Sequence, residues 1–392
     1  MGRDPHSAGP PGRESFLVFG SPMIGEGEIE EVVDSMRSGW IGSGPKVKRF
    51  EQMLADYVGV PHVRCVSSCS AALMLAMRQL DIGPGDEVIV PTMTFVACAN
   101  AVEALGGTPV LIDCEPGTGL VDLEQLEAAI GPRTKAAMVV HLAGYSLDMD
   151  RVNSIRDRHG IPIIEDAAHA IGSEWKGRRI GGHGNLTAYS FYVTKNITTI
   201  EGGALATDNP EVAERVERLA LHGLSVGAWQ RFSDSGFKHY EVVEPGTKAN
   251  MTDVQAAVGI RQLPMLDAWV DRRAELWARY QRELGGLPLA LPPPAGDSMR
   301  HARHLYRVEV LPESPLGRET LLEQLTDQKI GVGVHYLAVH LHGYYRDRYE
   351  LEPSMFPVAT EMSARTLSLP LSPKVSDDDQ TDVIGALRYL LG

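Results

Sequence analysis

The sequence predicts an α/β protein: an open, mostly parallel sheet with helices on both faces, followed by a smaller α/β unit. Three observations carry this. Past residue 60, short β-branched runs alternate with helical stretches, as βαβ units require. The 392 residues hold 43% hydrophobic and 22% charged side chains, a globular balance that needs no bridges or metals to build a core. Beyond about residue 255 the texture changes to a long helix and a Pro-rich stretch, which marks a second unit.

Residues 1–15, mostly Gly, Pro, Ser and Arg, bury little and are expected to be a mobile leader. Residues 16–255 are then the large domain and 256–392 the small one. Over 25–38, Ile29, Val32, Val33 and Met36 recur at helical spacing, and Ser38-Gly39 supplies the stop. A second helix follows over 47–57. Strands are expected over 63–66, 87–90, 109–112, 136–140 and 162–164. Helices run to Leu80 and Leu105 after the first two, and amphipathic segments occupy 122–130 and 149–158. A helix over 254–284, the Pro-rich 287–294, a strand over 306–310, and then helix, strand and helix complete the chain.

Several function classes are disfavoured. Against 37 Lys and Arg stand 51 Asp and Glu, and the net charge of −14 discourages nucleic acid and anionic membranes as partners. No apolar run reaches the roughly 18 residues of a membrane helix, and no signal-peptide pattern opens the chain, so a cytoplasmic protein is expected. Cys65, Cys69, Cys98 and Cys114 form no CxxC pair and read as buried reduced thiols.

The polar residues just after each strand are the informative ones, because such side chains converge on one crevice. Ser67-Ser68-Cys69-Ser70 opens an Ala-rich helix, whose free N–H groups and hydroxyls suit a phosphate, although a plain Ser N-cap looks the same. In Pro91-Thr92-Met93-Thr94-Phe95 the aromatic either stacks on a planar ring or packs in the core. The apolar strand at 162–164 runs into Glu165 and Asp166, then Ala167-Ala168-His169. No GxxxxGK[ST] loop accompanies those acids, which argues against a nucleotidase. Tyr189-Ser190-Phe191-Tyr192-Val193-Thr194-Lys195 closes on Glu201-Gly202-Gly203, where paired glycines let backbones approach. An anion cradle, a stacking aromatic, a carboxylate and a lysine are together what pyridoxal phosphate chemistry asks for.

Those segments, with Gly39-Trp40-Ile41-Gly42-Ser43-Gly44-Pro45, the Gly83 to Pro91 run and Asn250-Met251-Thr252-Asp253, resemble the sugar aminotransferases of the DegT/DnrJ/EryC1/StrS type, from about Gly20 onward. The resemblance implies the type I aspartate-aminotransferase fold, a large domain with a mostly parallel mixed sheet plus a smaller C-terminal α/β domain. It further implies a homodimer with active sites shared at the interface. By it, Lys195 is the Schiff-base lysine and Asp166 the partner of the pyridine nitrogen. His169 contacts the ring hydroxyl side, Phe95 stacks, Ser70 and Ser190 with Cys69 beside them hold the phosphate, and Asn250 reaches it from the neighbouring subunit. Cys69 stands where the family commonly has glycine, and Ser70 where it commonly has threonine.

The run Val334 to His342 resembles the branch that aminates 4-keto sugars on nucleotide carriers. Trp40, Ile200, His335, Tyr336 and His340 are accordingly read as lining the sugar site, and no metal is assigned to the histidines. Arg300, His301, Arg303, His304 and Arg307 offer positive charge for a diphosphate or else a solvated basic face. The expected reaction moves an amino group from an amino acid, L-glutamate by family precedent, to a TDP-linked 4-keto-6-deoxy sugar, for natural-product or surface-glycan biosynthesis. A 3-keto sugar or keto-cyclitol acceptor, and a non-catalytic pyridoxal phosphate-binding regulator, are the alternatives. Some members carry histidine in place of the lysine and dehydrate; Lys195 argues against that.

Overall fold

In the computed structural model of the chain, residues 12–225 and 239–392 are described. Residues 1–11 of the expected leader lie outside them. The rest of that segment is tied down rather than loose, because the Arg13 guanidinium is clasped by Asp379 (2.6 Å) and Asp382 near the C-terminus.

Helices α1 (Glu26–Ser38) and α2 (Pro45–Val58) form where their apolar spacing predicts. The start of α2 is held from far along the chain: the Asp253 carboxylate accepts from the N–H groups of Gly44 (2.8 Å), Val47 (2.9 Å) and Lys46 (3.1 Å). Those donors have no partner within the helix, and the negative charge complements the helix dipole. The alternation then runs β1 (His62–Val66), α3 (Cys69–Gln79), β2 (Glu87–Pro91), α4 (Ala97–Ala104), β3 (Thr108–Ile112), α5 (Leu123–Ala128), β4 (Thr134–Val140), α6 (Met149–His159) and β5 (Ile163–Asp166). A short hairpin of β6 (Glu174–Trp175) and β7 (Arg178–Arg179) precedes β8 (Leu186–Ser190), β9 (Gly203–Thr207) and α7 (Pro210–Leu219).

Seven strands make the central sheet in the order β1-β9-β8-β5-β4-β2-β3. Neighbours from β8 to β3 pair in parallel, and β9 alone runs against the rest. The predicted mostly parallel sheet is therefore present, with one reversed strand the sequence did not announce. Gly203-Ala204-Leu205-Ala206-Thr207 lacks the β-branched enrichment that marks strands, yet all five residues are buried. Val88, Ile89, Val90, Met138, Val139 and Ile164 are 0% exposed, which is why these strands read as continuous apolar runs rather than alternating ones.

The helix expected over 254–284 is two helices, α8 (Asp253–Gln262) and α9 (Leu266–Glu283). Pro264 lacks an N–H to continue the ladder, and Leu263–Met265 tightens into a 3-10 turn at that point. The chain continues through β10 (Leu289–Ala290), β11 (Met299–Arg300), β12 (Tyr306–Val310), α10 (Arg318–Asp327), α11 (Gly343–Tyr349), α12 (Pro357–Arg365), β13 (Thr366–Leu369) and α13 (Asp377–Leu391). Strands β10, β12 and β13 form a separate antiparallel sheet, while β11 joins the β6–β7 hairpin. Leu17 bridges to Ile330, bringing the N-terminal segment to this later part of the chain.

The basic cluster near β12 is not a free cationic face. Arg300 donates to Asp267 (2.7 Å), Arg307 is buried against the Gly117 carbonyl (2.5 Å), and His301 and His304 are buried. Among the described residues no helix is long and apolar enough to cross a membrane.

Candidate active site

Because β1, β2, β4, β5 and β8 share one direction, their carboxyl ends open on one side of the sheet. A cavity of about 390 Å³ lies there. It brings together Cys69 and Ser70 from the start of α3, Phe95 after β2, Asp166 and His169 at the end of β5, and Ser190 and Lys195 at the end of β8. His335 and Tyr336, far along the chain, complete its wall.

Four sequence-named residues lie elsewhere. Trp40 sits 41% exposed between α1 and α2, and Ile200 is 55% exposed beside Glu201, which does line the cavity. Asn250 faces a second cavity of about 390 Å³, where its amide donates to Ser43 and its Oδ1 is buried without a partner. His340 is a correction. It is fully buried, and both ring nitrogens are taken by the hydroxyls of Thr92 and Thr360, each at 2.8 Å, so the residue ties its segment to the turn after β2 and to α12.

The two acids at the end of β5 part company, as successive strand residues must. Glu165 is fully buried and bonded to His141 Nε2 (3.1 Å) and the Asn185 amide (2.8 Å). Burial is the largest influence and acts to raise its pKa, but the hydrogen bonds from His141 and Asn185 and the charge of His141 together outweigh it and leave the carboxyl below its usual range. Asp166 faces the cavity instead, with Oδ1 accepting from the Ala168 N–H (2.9 Å) and Oδ2 from the Cys98 thiol (3.0 Å). Cys98 is the member that sequence reading missed. It was legible in the sequence only as a buried thiol.

Lys195 carries the ammonium of the cavity. Burial pulls its pKa down to about 8, with Cys69 and Asp166 pulling partly back. At pH 7 about a tenth is then the free amine, the nucleophilic form, and about half at pH 8. His169 accepts the Ala143 N–H on Nδ1 (3.2 Å) and is pushed well below its ordinary pKa by burial and by the Lys195 charge. These contacts assign the neutral tautomer with the proton on Nε2, which donates to the Tyr336 hydroxyl (3.0 Å). The Tyr336 proton is left to point elsewhere.

At the start of α3 the Ser68 hydroxyl accepts the Ala71 N–H (3.1 Å) and caps the helix, so the plain N-cap reading holds for this serine. The N–H groups of Cys69 and Ser70 come ahead of the first intrahelical bond, from Ala72 to the Ser68 carbonyl (3.0 Å), so they have no partner within the helix, and both residues line the cavity together with Ser190. The close passage of β9 makes this possible. A Cβ on Gly203 would lie 2.4 Å from the Ser68 carbonyl carbon and 2.5 Å from the Cys69 nitrogen. Gly203→Ala is thus expected to displace the helix start. It should cost about 2 kcal/mol of stability and weaken coenzyme binding about tenfold or more, read by melting temperature and by titration. Parent-like values for both would show that the approach is not tight.

Free N–H groups and hydroxyls at a helix start, the half-exposed Phe95 ring, a carboxylate at the cavity wall and a half-buried amine make a donor set that fits pyridoxal phosphate. The comparisons agree. The chain is 46% identical over 382 residues to the spore coat polysaccharide biosynthesis protein SpsC of Bacillus subtilis, covering 97% of this chain and 98% of that protein. The putative sugar aminotransferase Spr1654 of Streptococcus pneumoniae, solved in PMP and PLP forms, superposes in the first with a TM-score of 0.90 at 34% identity over 95% of this chain and 98% of that one. DesV of S. venezuelae gives 0.84 at 36% identity, over 92% and 93%. The DegT/DnrJ/EryC1/StrS profile matches residues 22–388, which include every part of the cavity, so the chain belongs to that aminotransferase family and depends on pyridoxal phosphate as a sugar aminotransferase.

Proposed function

We propose that the acceptor is a 4-keto-6-deoxy sugar on a nucleotide, TDP-linked, and that L-glutamate is the donor, giving a 4-amino-4,6-dideoxy sugar nucleotide. The observation that carries the acceptor class is the composition of the wall beyond Lys195. Tyr192, His335 and Tyr336 bring hydroxyls and ring edges there, the neutral donors and acceptors that a hydroxylated ring pairs with. The name of SpsC points to a polysaccharide destination, so the product is assigned to surface-glycan synthesis.

Ser70, Ser190 and the first N–H groups of α3 would hold the coenzyme's phosphate, Phe95 its ring face, and Asp166 its ring nitrogen. Bound there, the coenzyme supplies an electron sink for the carbon that gains or loses the amine. Lys195 Nζ, with its lowered pKa, takes the proton from that carbon and returns it. Asp166 provides fixed negative charge before any reaction begins. Phe95 and Tyr336, with ring centroids 5.8 Å apart, form an aromatic wall of the cavity.

The active unit proposed is a homodimer with shared sites. Ile29 and Met36 on α1 are 47% and 59% exposed, and Trp40 and Ile41 beside them 41% and 50%, an apolar surface next to Ser43 and Asn250. On this reading Asn250 and Trp40 serve the site of the second subunit. Light scattering should give twice the chain mass.

Assayed side by side with L-glutamate, the 4-keto sugar nucleotide is expected to exceed its 3-keto isomer and a keto-cyclitol by at least about tenfold in kcat/KM. Faster turnover of either competitor would replace the proposed acceptor.

A further inference from the structure

We propose that Cys98 is a positioning residue for Asp166, its thiol proton fixing the carboxylate plane so that a lone pair faces the ring nitrogen of the coenzyme. The inference rests on the reading that Asp166 meets that nitrogen. Cys98 is fully buried on the first turn of α4 and does not line the cavity, so it acts only through its neighbour. Its Sγ lies 3.0 Å from Asp166 Oδ2 and 3.3 Å from Thr94 Oγ1. The carboxylate is the only one of those two partners that cannot donate, so the thiol donates to Asp166 and the Thr94 hydroxyl donates to sulfur. Burial, and then the charge of Asp166, push the thiol far above its ordinary pKa and keep the proton on sulfur.

The Ala168 N–H fixes Oδ1 and Cys98 fixes Oδ2, so both oxygens are held by neutral donors, one on the loop after β5 and one on the first turn of α4. Cys69, at 3.9 Å from Oδ1, adds a weaker contact from the cavity side. Two short bonds define the plane of a carboxylate. Without the thiol, one oxygen is free to swing, and its charge is no longer aimed.

The bland reading is that Cys98 is a small buried hydrophobe. The test separates the two with Cys98→Ser, which keeps a donor, and Cys98→Val, which keeps bulk and removes it. Dissociation constants of the apo-protein are measured for pyridoxal phosphate and for its deaza analogue, which carries carbon in place of the ring nitrogen, together with apo-protein melting temperatures. Cys98→Val is expected to weaken pyridoxal phosphate about tenfold while Cys98→Ser stays within about threefold of the parent, and deaza affinity is the same in all three. Cys98→Ala, which adds no bulk, should follow the valine variant. Unchanged pyridoxal phosphate affinity in Cys98→Val, or an equal loss for both compounds, overturns the proposal in favour of packing. A parent that binds the two compounds equally would remove the role of Asp166 at the ring, and the proposal with it.

Discussion

Lys195→Ala is expected to lower kcat by more than about 10⁴-fold and to abolish the visible absorbance that the coenzyme-loaded parent shows. The size follows from two losses at once, the covalent anchor and the base that shuttles the proton. Lys195→Arg should fail as well. A guanidinium keeps the charge but cannot be deprotonated in a protein, whereas the cavity lowers the lysine to about 8 so that the free amine is present near neutrality. The sign gives a pH dependence. Only the deprotonated amine attacks an aldehyde, so capture of coenzyme by the apo-protein should speed up from pH 7 to pH 9, with its midpoint near 8. Stopped-flow absorbance measures this. A flat profile, or near-parent turnover in Lys195→Ala, would remove the assignment of this residue.

Much of this site was readable because parallel sheets gather strand ends. Asp166 ends a strand whose apolar run is visible in the sequence, and Ser190 ends and Lys195 follows the parallel neighbour β8, which was not among the strands expected, so their convergence follows from topology. What escaped has particular causes. Strand β9 is built of small residues, chosen so that Gly203 can pass the start of α3, and small residues carry no strand signal. Cys98 faces Asp166 across a gap that no spacing in the chain encodes, since it depends on where α4 sits against β5. The histidines between 335 and 342 look equivalent in sequence, yet His335 bonds Ser368 at the cavity wall and His340 turns into the core toward Thr92 and Thr360. Arg300 and Arg307 read as a basic patch only while Asp267 and the Gly117 carbonyl are out of view.

Asp166→Asn isolates the electrostatic half of the chemistry from the covalent half. The amide matches the carboxylate in shape, and Lys195 is untouched, so the variant should fold, bind coenzyme and keep the visible absorbance that Lys195→Ala loses. The rate should nevertheless fall about 10³-fold, as expected when about 4 kcal/mol of preorganised charge is withdrawn. Two features of the geometry make the substitution worse than a simple loss of charge. Asp166 accepts from Ala168 on one oxygen and from Cys98 on the other, and asparagine has only one oxygen, so one of these buried donors must face an NH₂. In addition, an NH₂ turned to the cavity donates, which favours an unprotonated ring nitrogen and removes the positive charge that draws electrons. Single-turnover rates with each half of the substrate pair, set against coenzyme content and melting temperature, separate these contributions. An Asp166→Asn protein that binds coenzyme and turns over at the parent rate would mean that some other group charges the ring.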